Sequence, residues 1–72
     1  MKICGVVVRV DKTVYMGRFK SMKDATDYQD FINQSRETGG IVGVLDVVDG
    51  VNKVVNVPSE DINLVFIEEL HA

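Results

Sequence analysis

Only one stretch of this chain has the periodicity of an amphipathic helix, and runs of β-branched residues lie on both sides of it. Within that stretch, apolar side chains recur three or four residues apart, at Ala25, Tyr28, Phe31 and Ile32. Ser21 is a suitable N-cap, and Gly39-Gly40 suits a helix end because glycine readily adopts a left-handed backbone conformation. The pattern therefore predicts one helix, from about Met22 to Arg36.

The β-branched runs predict five strands. These cover residues 3–10, 13–19, 41–48, 53–57 and 62–69. Asp11-Lys12 would join the first two strands, and without Gly or Asn it leaves the register of that hairpin open. Asp49-Gly50 is a turn signal, with Val51 and Asn52 predicted to lengthen the loop. Residues 58–61 favour a single helical turn, so the expected fold is one α+β domain over residues 1–72, a single antiparallel-rich sheet with one helix in the order ββαβββ.

A chain of 72 residues has little interior with which to stabilise a fold. Cys4 is the only cysteine, so a disulfide within the chain is impossible. Cys4 and His71 are also the only soft metal ligands, which argues against a structural zinc site. A tightly packed core or association with other copies remains as the source of stability.

The strands are apolar on both faces, whereas one helix can cover only one face of a sheet. The runs Val6-Val7-Val8, Val47-Val48, Val54-Val55 and Leu64-Val65-Phe66-Ile67 place apolar groups at consecutive positions. Left open to water, the second face would form a larger apolar patch than monomers usually expose. We therefore expect a homo-oligomer, with a dimer favoured. The alternative is a sheet that curls into a small barrel and hides the second face itself.

Charge is unevenly distributed along the chain. Residues 1–23 contain six lysines and arginines against one carboxylate, a net charge of +5. Residues 24–72 contain two against ten, a net charge of −8. The basic hairpin would either bind an anionic partner or lie beside the acidic strand 62–69, where its charges would be balanced internally.

Nucleic acid is a minority hypothesis for the partner of the basic hairpin. Alternation along the second strand directs Tyr15 and Phe19 to one face, and Arg18 and Lys20 to the other. Platforms for single-stranded nucleic acid need aromatic and cationic groups on the same face. The acidic remainder of the chain would also repel phosphates.

No residue pattern supports catalysis, so we expect a protein that is not an enzyme and needs no cofactor or metal. Cys4 lies within an apolar strand and His71 lies at the chain end, which disfavours a nucleophile and base pair. The glycines from Gly39 to Gly43 follow a helix end, whereas phosphate-binding loops precede a helix. Glu68 and Glu69 are neighbours on a strand and point to opposite faces, so they do not share a proton.

The chain has no apolar run long enough to span a membrane, and Arg9 interrupts the run that resembles a signal peptide. Because no run could span a membrane, we expect no membrane interaction. The absence of cysteine pairs also fits a reducing compartment, so we expect a cytoplasmic protein. A regulator this small would also suit a phage or another mobile element.

Two functional hypotheses follow. The first is a non-enzymatic protein-interaction or regulatory module, inhibitor-like and homo-oligomeric, that binds another protein. Its candidate contact residues are the hairpin cations and two carboxylates of the exposed helix face: Arg9, Lys12, Arg18, Lys20, Asp27 and Asp30. The second is a small-molecule or nucleotide-binding module with a pocket at the subunit interface, near Tyr15, Arg18 and Phe19.

Overall fold

The structure, a computed structural model, describes the backbone of residues 2–71 and the side chains of residues 3–69. It has one α-helix, five strands and one short 3₁₀ turn. In chain order the elements are β1 (Lys2–Val10), β2 (Thr13–Phe19), α1 (Met22–Thr38), β3 (Ile41–Val48), β4 (Val51–Pro58), the 3₁₀ turn (Ser59–Asp61) and β5 (Ile62–His71). The α+β class and the ββαβββ order are confirmed.

The helix begins and ends where its sequence signals predict. Ser21 has an extended backbone conformation, and its Oγ accepts a hydrogen bond from the Asp24 amide at 3.1 Å. At the other end, Gly39 takes a φ of 81° and its amide donates to the Ser35 carbonyl. The helix runs two residues beyond the predicted end, because the glycine rather than Arg36 terminates it.

The β3–β4 connection is shorter than the sequence suggests. Asp49 and Gly50 have φ values of 53° and 78°, and Val48 pairs directly with Val51. Two successive positive φ angles form the tight turn that matches the twist of a β-hairpin. The prediction that Val51 and Asn52 extend the loop is therefore wrong, and both belong to β4.

The strands that the sequence predicts as one sheet are divided between two sheets. β2, β1 and β5 form an antiparallel three-stranded sheet in that order, and β3 pairs antiparallel with β4 alone. β3 lies beside β2 but crosses it closely at Gly17, where an added Cβ would be only 2.9 Å from the Cβ of Leu45. This close crossing corrects the expectation of a single sheet, because strands that cross do not form a continuous ladder.

The core lies on one face of the three-stranded sheet, which we call the inner face. Its central strand contributes Cys4, Val6, Val8 and Val10, all buried. Ala25 and Ile32 of the helix pack against them, and the two-stranded sheet adds buried Val42, Val44 and Val57. The helix and the β3–β4 hairpin together cover this face.

Candidate interaction surface

The opposite face of the three-stranded sheet, which we call the outer face, has no protein covering it among the described residues. Strand register arranges it in rows that run across β2, β1 and β5. The rows are Val14–Arg9–Leu64, Met16–Val7–Phe66 and Arg18–Gly5–Glu68. Val14, Leu64 and Phe66 are 59%, 47% and 40% exposed, so the apolar part of this face is open to solvent.

The prediction of apolar groups on both sheet faces is confirmed by these exposures. The sheet does not curl into a barrel over the described residues, because Val14 and Leu64 at its two edges remain exposed. Side chains alternate along each strand, so none of these residues can turn into the core without a change of register. The surface is thus a fixed property of the fold.

The charged groups of the outer face lie at its two ends. Arg18 and Glu68 occupy the same row on β2 and β5, with Gly5 between them. Arg9 lies in the row at the other end, and its Nε donates to the Asp11 carbonyl at 3.3 Å. The middle row, Met16–Val7–Phe66, contains no charge.

The basic hairpin lies beside the acidic strand, as one reading of the charge distribution predicts, because β1 pairs with β5. Direct ion pairs between them are absent from the described residues, where the salt bridge present is Lys23–Asp27 at 2.9 Å. Lys23 Nζ donates a hydrogen bond to Asp27 Oδ2, and this bond raises the pKa of Lys23. Adjacent strands therefore bring the opposite charges near one another without closing an ion pair.

The six residues predicted to contact a partner do not share one surface. Arg9 and Arg18 lie on the outer face and Lys12 lies in the β1–β2 turn. Asp27 and Asp30 lie on α1, which packs against the inner face. A partner that contacts the cations through the sheet would therefore not touch the helix carboxylates at the same time.

Lys20, the remaining residue of the six, lines a cleft of about 260 Å³ beside the β3–β4 turn. The other lining residues are Ile3, Arg18, Phe19, Gly50 and Asn52. Two residues of the predicted ligand site, Arg18 and Phe19, thus meet at this cleft. The third, Tyr15, lies on the inner face, where it packs against the core.

The free edge of β2 is closed by side chains of the β3–β4 hairpin. Asn52 accepts from the Arg18 amide at 3.0 Å and donates to the Arg18 carbonyl at 2.8 Å. Asp46 accepts from the Met16 amide at 3.4 Å. The Asn52 amide group therefore provides the donor and acceptor that a neighbouring strand would offer. Sequence reasoning missed this role, because it placed Asn52 in a loop.

Among the described residues, the free edge of β5 accepts or donates fewer hydrogen bonds than the edge of β2. The Val65 carbonyl points away from β1 and accepts a long hydrogen bond, 3.4 Å, from Gln29 Nε2. Backbone groups alternate in direction along an antiparallel strand, so the amides and carbonyls of Ile67 and Glu69 point to the same side. Hydrogen bonds to these two residues from that side are absent within the described part of the chain.

Tyr28 links the helix to the second sheet. Its Oη accepts a hydrogen bond from the Leu45 amide at 2.7 Å, and its ring lies 5.2 Å from that of Phe19. Burial raises the pKa of the Tyr28 phenol, although the Leu45 hydrogen bond opposes this shift. The residue anchors β3 at its crossing with β2.

Two further buried groups bear on chemistry. Cys4 is 4% exposed within the core, which confirms that it is a small buried apolar group. Ser59 is 1% exposed, and its Oγ has no hydrogen-bond partner among the described residues. Neither group adjoins the outer face, because Cys4 points to the inner face and Ser59 follows β4.

None of the helices in the described residues combines the length and apolar character needed to cross a membrane. Comparisons with protein-family models, curated proteins and solved structures found no match to this chain.

Proposed function

We propose that this protein is a non-enzymatic, inhibitor-like regulatory module that binds other proteins, and that it works as a homodimer joined through the outer face. The observation that carries the proposal is the exposed middle of that face, where Phe66 is 40% exposed beside Val7 and Met16. An uncovered apolar sheet face is stabilised when another surface removes it from water. The basic hairpin suits an acidic surface on a partner. The free, buried Cys4 suits the reducing cytoplasm.

A second copy is the proposed occupant because the outer face is complementary to itself. If a two-fold axis runs parallel to β1, then β2 of one copy lies over β5 of the other with each row at the same level. Arg18 then faces Glu68 of the other copy, and the reciprocal pair forms across the axis. Sheets that pack face to face keep their strands nearly aligned, as this arrangement requires.

The apolar rows complete that match. Met16 would face Phe66 and Val14 would face Leu64, twice each, so the four contacts bury apolar side chains on both copies. The same axis places Arg9 opposite Arg9 of the other copy at the end of the interface, where the hydrogen bond to the Asp11 carbonyl turns each side chain toward its own β1–β2 turn. The face is three short strands wide, so we expect an interface near the lower limit of specific complexes, about 1,200 Å² in total.

A matched pair of valine substitutions tests the dimer. Val14→Lys places a charge within the outer face, whereas Val54→Lys places one on β4, where the native side chain is 68% exposed and away from that face. Light scattering after gel filtration across a range of micromolar concentrations should give a dimer mass for the native chain and for Val54→Lys. Val14→Lys should give a monomer. A native chain that stays monomeric throughout this range would overturn the dimer.

The cleft beside the β3–β4 turn supports a second candidate function, which is binding of a small acidic molecule. Arg18 and Lys20 supply positive charge there, and Ile3 and Phe19 supply apolar walls. Thermal-shift measurements with nucleotides and small dicarboxylates should show stabilisation that Lys20→Ala removes. Because Lys20 is not part of the outer face rows, that variant should still dimerise. Absence of any shift would exclude this function without affecting the dimer.

A further inference from the structure

The geometry points to a second binding site at the free edge of β5, where we infer that an extended, basic segment of another protein adds as a strand. This inference rests on the proposed role in protein interaction, and it names the partner's chemistry. Val65, Ile67 and Glu69 present backbone amides and carbonyls at this edge. Strand addition of this kind takes affinity from main-chain hydrogen bonds and specificity from alternate side chains.

The edge of β2 is closed by side chains and β4 has residues that oppose strand pairing, whereas β5 has neither protection among the described residues. Asn52 and Asp46 occupy the edge of β2. β4 contains Lys53 and ends at Pro58, and lysine and proline are common protections against strand pairing. β5 is ten residues long and contains neither residue type. The Gln29 bond to Val65 does not exclude a partner, because a carbonyl oxygen can accept a second hydrogen bond.

The negative charge near this edge favours a basic partner over a second copy of the chain. The 3₁₀ turn and the part of β5 with described side chains carry four carboxylates and no lysine or arginine: Glu60, Asp61, Glu68 and Glu69. All four are exposed. A second β5 strand would bring carboxylates of the same sign, whereas lysines or arginines on an added segment would be attracted. β5 also has apolar side chains on both faces, with Leu64 and Phe66 on one and Val65 and Ile67 on the other. The added segment should therefore have apolar residues between its cations.

The outward backbone groups of β5 are not used by the proposed dimer, which contacts β5 through the side chains of Leu64, Phe66 and Glu68. In a face-to-face dimer the outer faces are covered, but the backbone groups of Ile67 and Glu69 that point away from β1 are not. Each copy would therefore hold one added strand, and a dimer would present two such edges. Variants that dissociate the dimer should leave the edge able to bind.

Amide hydrogen exchange by NMR tests the site with two synthetic peptides. One peptide alternates valine and lysine, and the matched peptide has glutamate in place of lysine. With the lysine peptide, exchange at Val65, Ile67 and Glu69 should slow by about tenfold or more, because their amides become bonded. Exchange at Met16 and Arg18 on the closed β2 edge should not change. The glutamate peptide should have no effect.

A synthetic chain with an N-methyl group on Ile67 removes one edge donor and keeps the side chain. It should lose the lysine peptide's effect while its core amides, such as that of Val8, stay protected. Equal effects of both peptides, protection at the β2 edge instead, or no effect of either peptide would overturn the site. Protection of the β5 edge that rises with protein concentration alone would also overturn it, since a second copy would then be the occupant.

Light scattering on the same samples separates this site from the dimer. The Val14→Lys variant should bind the lysine peptide as the native chain does. If the native chain is a dimer but its β5 amides are unaffected by the peptide, the edge site is wrong and the dimer stands. If the native chain is a monomer and the edge amides are protected, the dimer is wrong and the edge site stands.

Discussion

The two faces of the three-stranded sheet are both rich in apolar residues, but one face is buried and the other is exposed. On β1, Val6 and Val8 are fully buried beneath α1, whereas Val7 between them is only half-buried. The difference is in what covers each face, since the described residues form one helix and one additional hairpin and both pack on the inner side. Apolar character alone therefore does not mark the core, and the outer face is apolar without a structural use inside the monomer.

The largest change in the free energy of unfolding should come from substitution of a core residue that packs on the inner face. Ile32→Ala removes a fully buried side chain, and we expect it to lower the free energy of unfolding by about 2–5 kcal/mol. Leu64→Ala on the outer face should change monomer stability by less than about 1 kcal/mol, because the native side chain is 47% exposed. Urea unfolding at a concentration where the chain is monomeric measures both values. Equal losses would contradict the contrast between the faces.

The next effect concerns the crossing of β2 and β3. Gly17→Ala places a Cβ 2.9 Å from the Cβ of Leu45, so the strands must separate, and we expect a loss of about 1–3 kcal/mol. Gly43→Ala is the matched control. Its Cβ would lie 2.8 Å from Cγ1 of Val54, but that side chain is 68% exposed and can shift toward solvent, whereas Leu45 is half-buried. Thermal unfolding should show the larger destabilisation for Gly17→Ala, and the reverse order would contradict a tight crossing.

Removal of the Tyr28 hydroxyl should have a smaller effect on the same packing. Tyr28→Phe leaves the half-buried Leu45 amide without its acceptor, and we expect a cost of about 1 kcal/mol at neutral pH. The fold also raises the pKa of this phenol above its ordinary value of 10.0. The unfolded chain therefore loses the proton first as pH rises, so this contribution to stability is complete below pH 10.0 and is lost as pH rises through the folded pKa.

The loss of stability at alkaline pH provides a control for the Tyr28→Phe measurement. Urea unfolding of the native chain at pH values above 10.0 should show a steeper loss of stability than the variant shows. Identical pH profiles for the two chains would mean that Tyr28 titrates in the folded protein as it does in water.

The smallest effect should come from Ser59. Its buried hydroxyl has no partner among the described residues, so Ser59→Ala should leave stability unchanged or raise it by up to about 1 kcal/mol. Ser35→Ala is a suitable control because it removes a serine hydroxyl that is hydrogen-bonded. The Ser35 hydroxyl donates to the Phe31 carbonyl within the helix. A loss above about 1 kcal/mol for Ser59→Ala would show that its hydroxyl is bonded in solution, for example to water.

Local signals explain why most elements could be predicted from the sequence. Ser21 and Gly39 mark the helix ends by backbone chemistry that acts within a few residues. The division into two sheets depends instead on contacts between distant segments, such as that between Gly17 and Leu45. The closed edge of β2 likewise depends on Asn52, 34 residues from Arg18, which no local pattern connects to it.

The sequence predicts that an exposed apolar sheet face exists, but it does not predict which residues form that face. Consecutive apolar residues such as Leu64-Val65-Phe66-Ile67 indicate that both faces are apolar. The face left open is decided by where the helix packs. Sequence reasoning also favoured charged contact residues, and it grouped Arg18 with Asp27 although the sheet lies between the outer face and the helix.

A charge-reversal cycle at Arg18 and Glu68 tests the proposed dimer most directly. Sedimentation equilibrium would compare the native chain, Arg18→Glu, Glu68→Arg and the chain with both changes. The proposed arrangement predicts that each single reversal weakens the dimer by about tenfold or more, and that the double reversal restores most of its affinity. Single reversals that leave the dimer unchanged, or losses that simply add in the double variant, would contradict the pairing of these two outer faces.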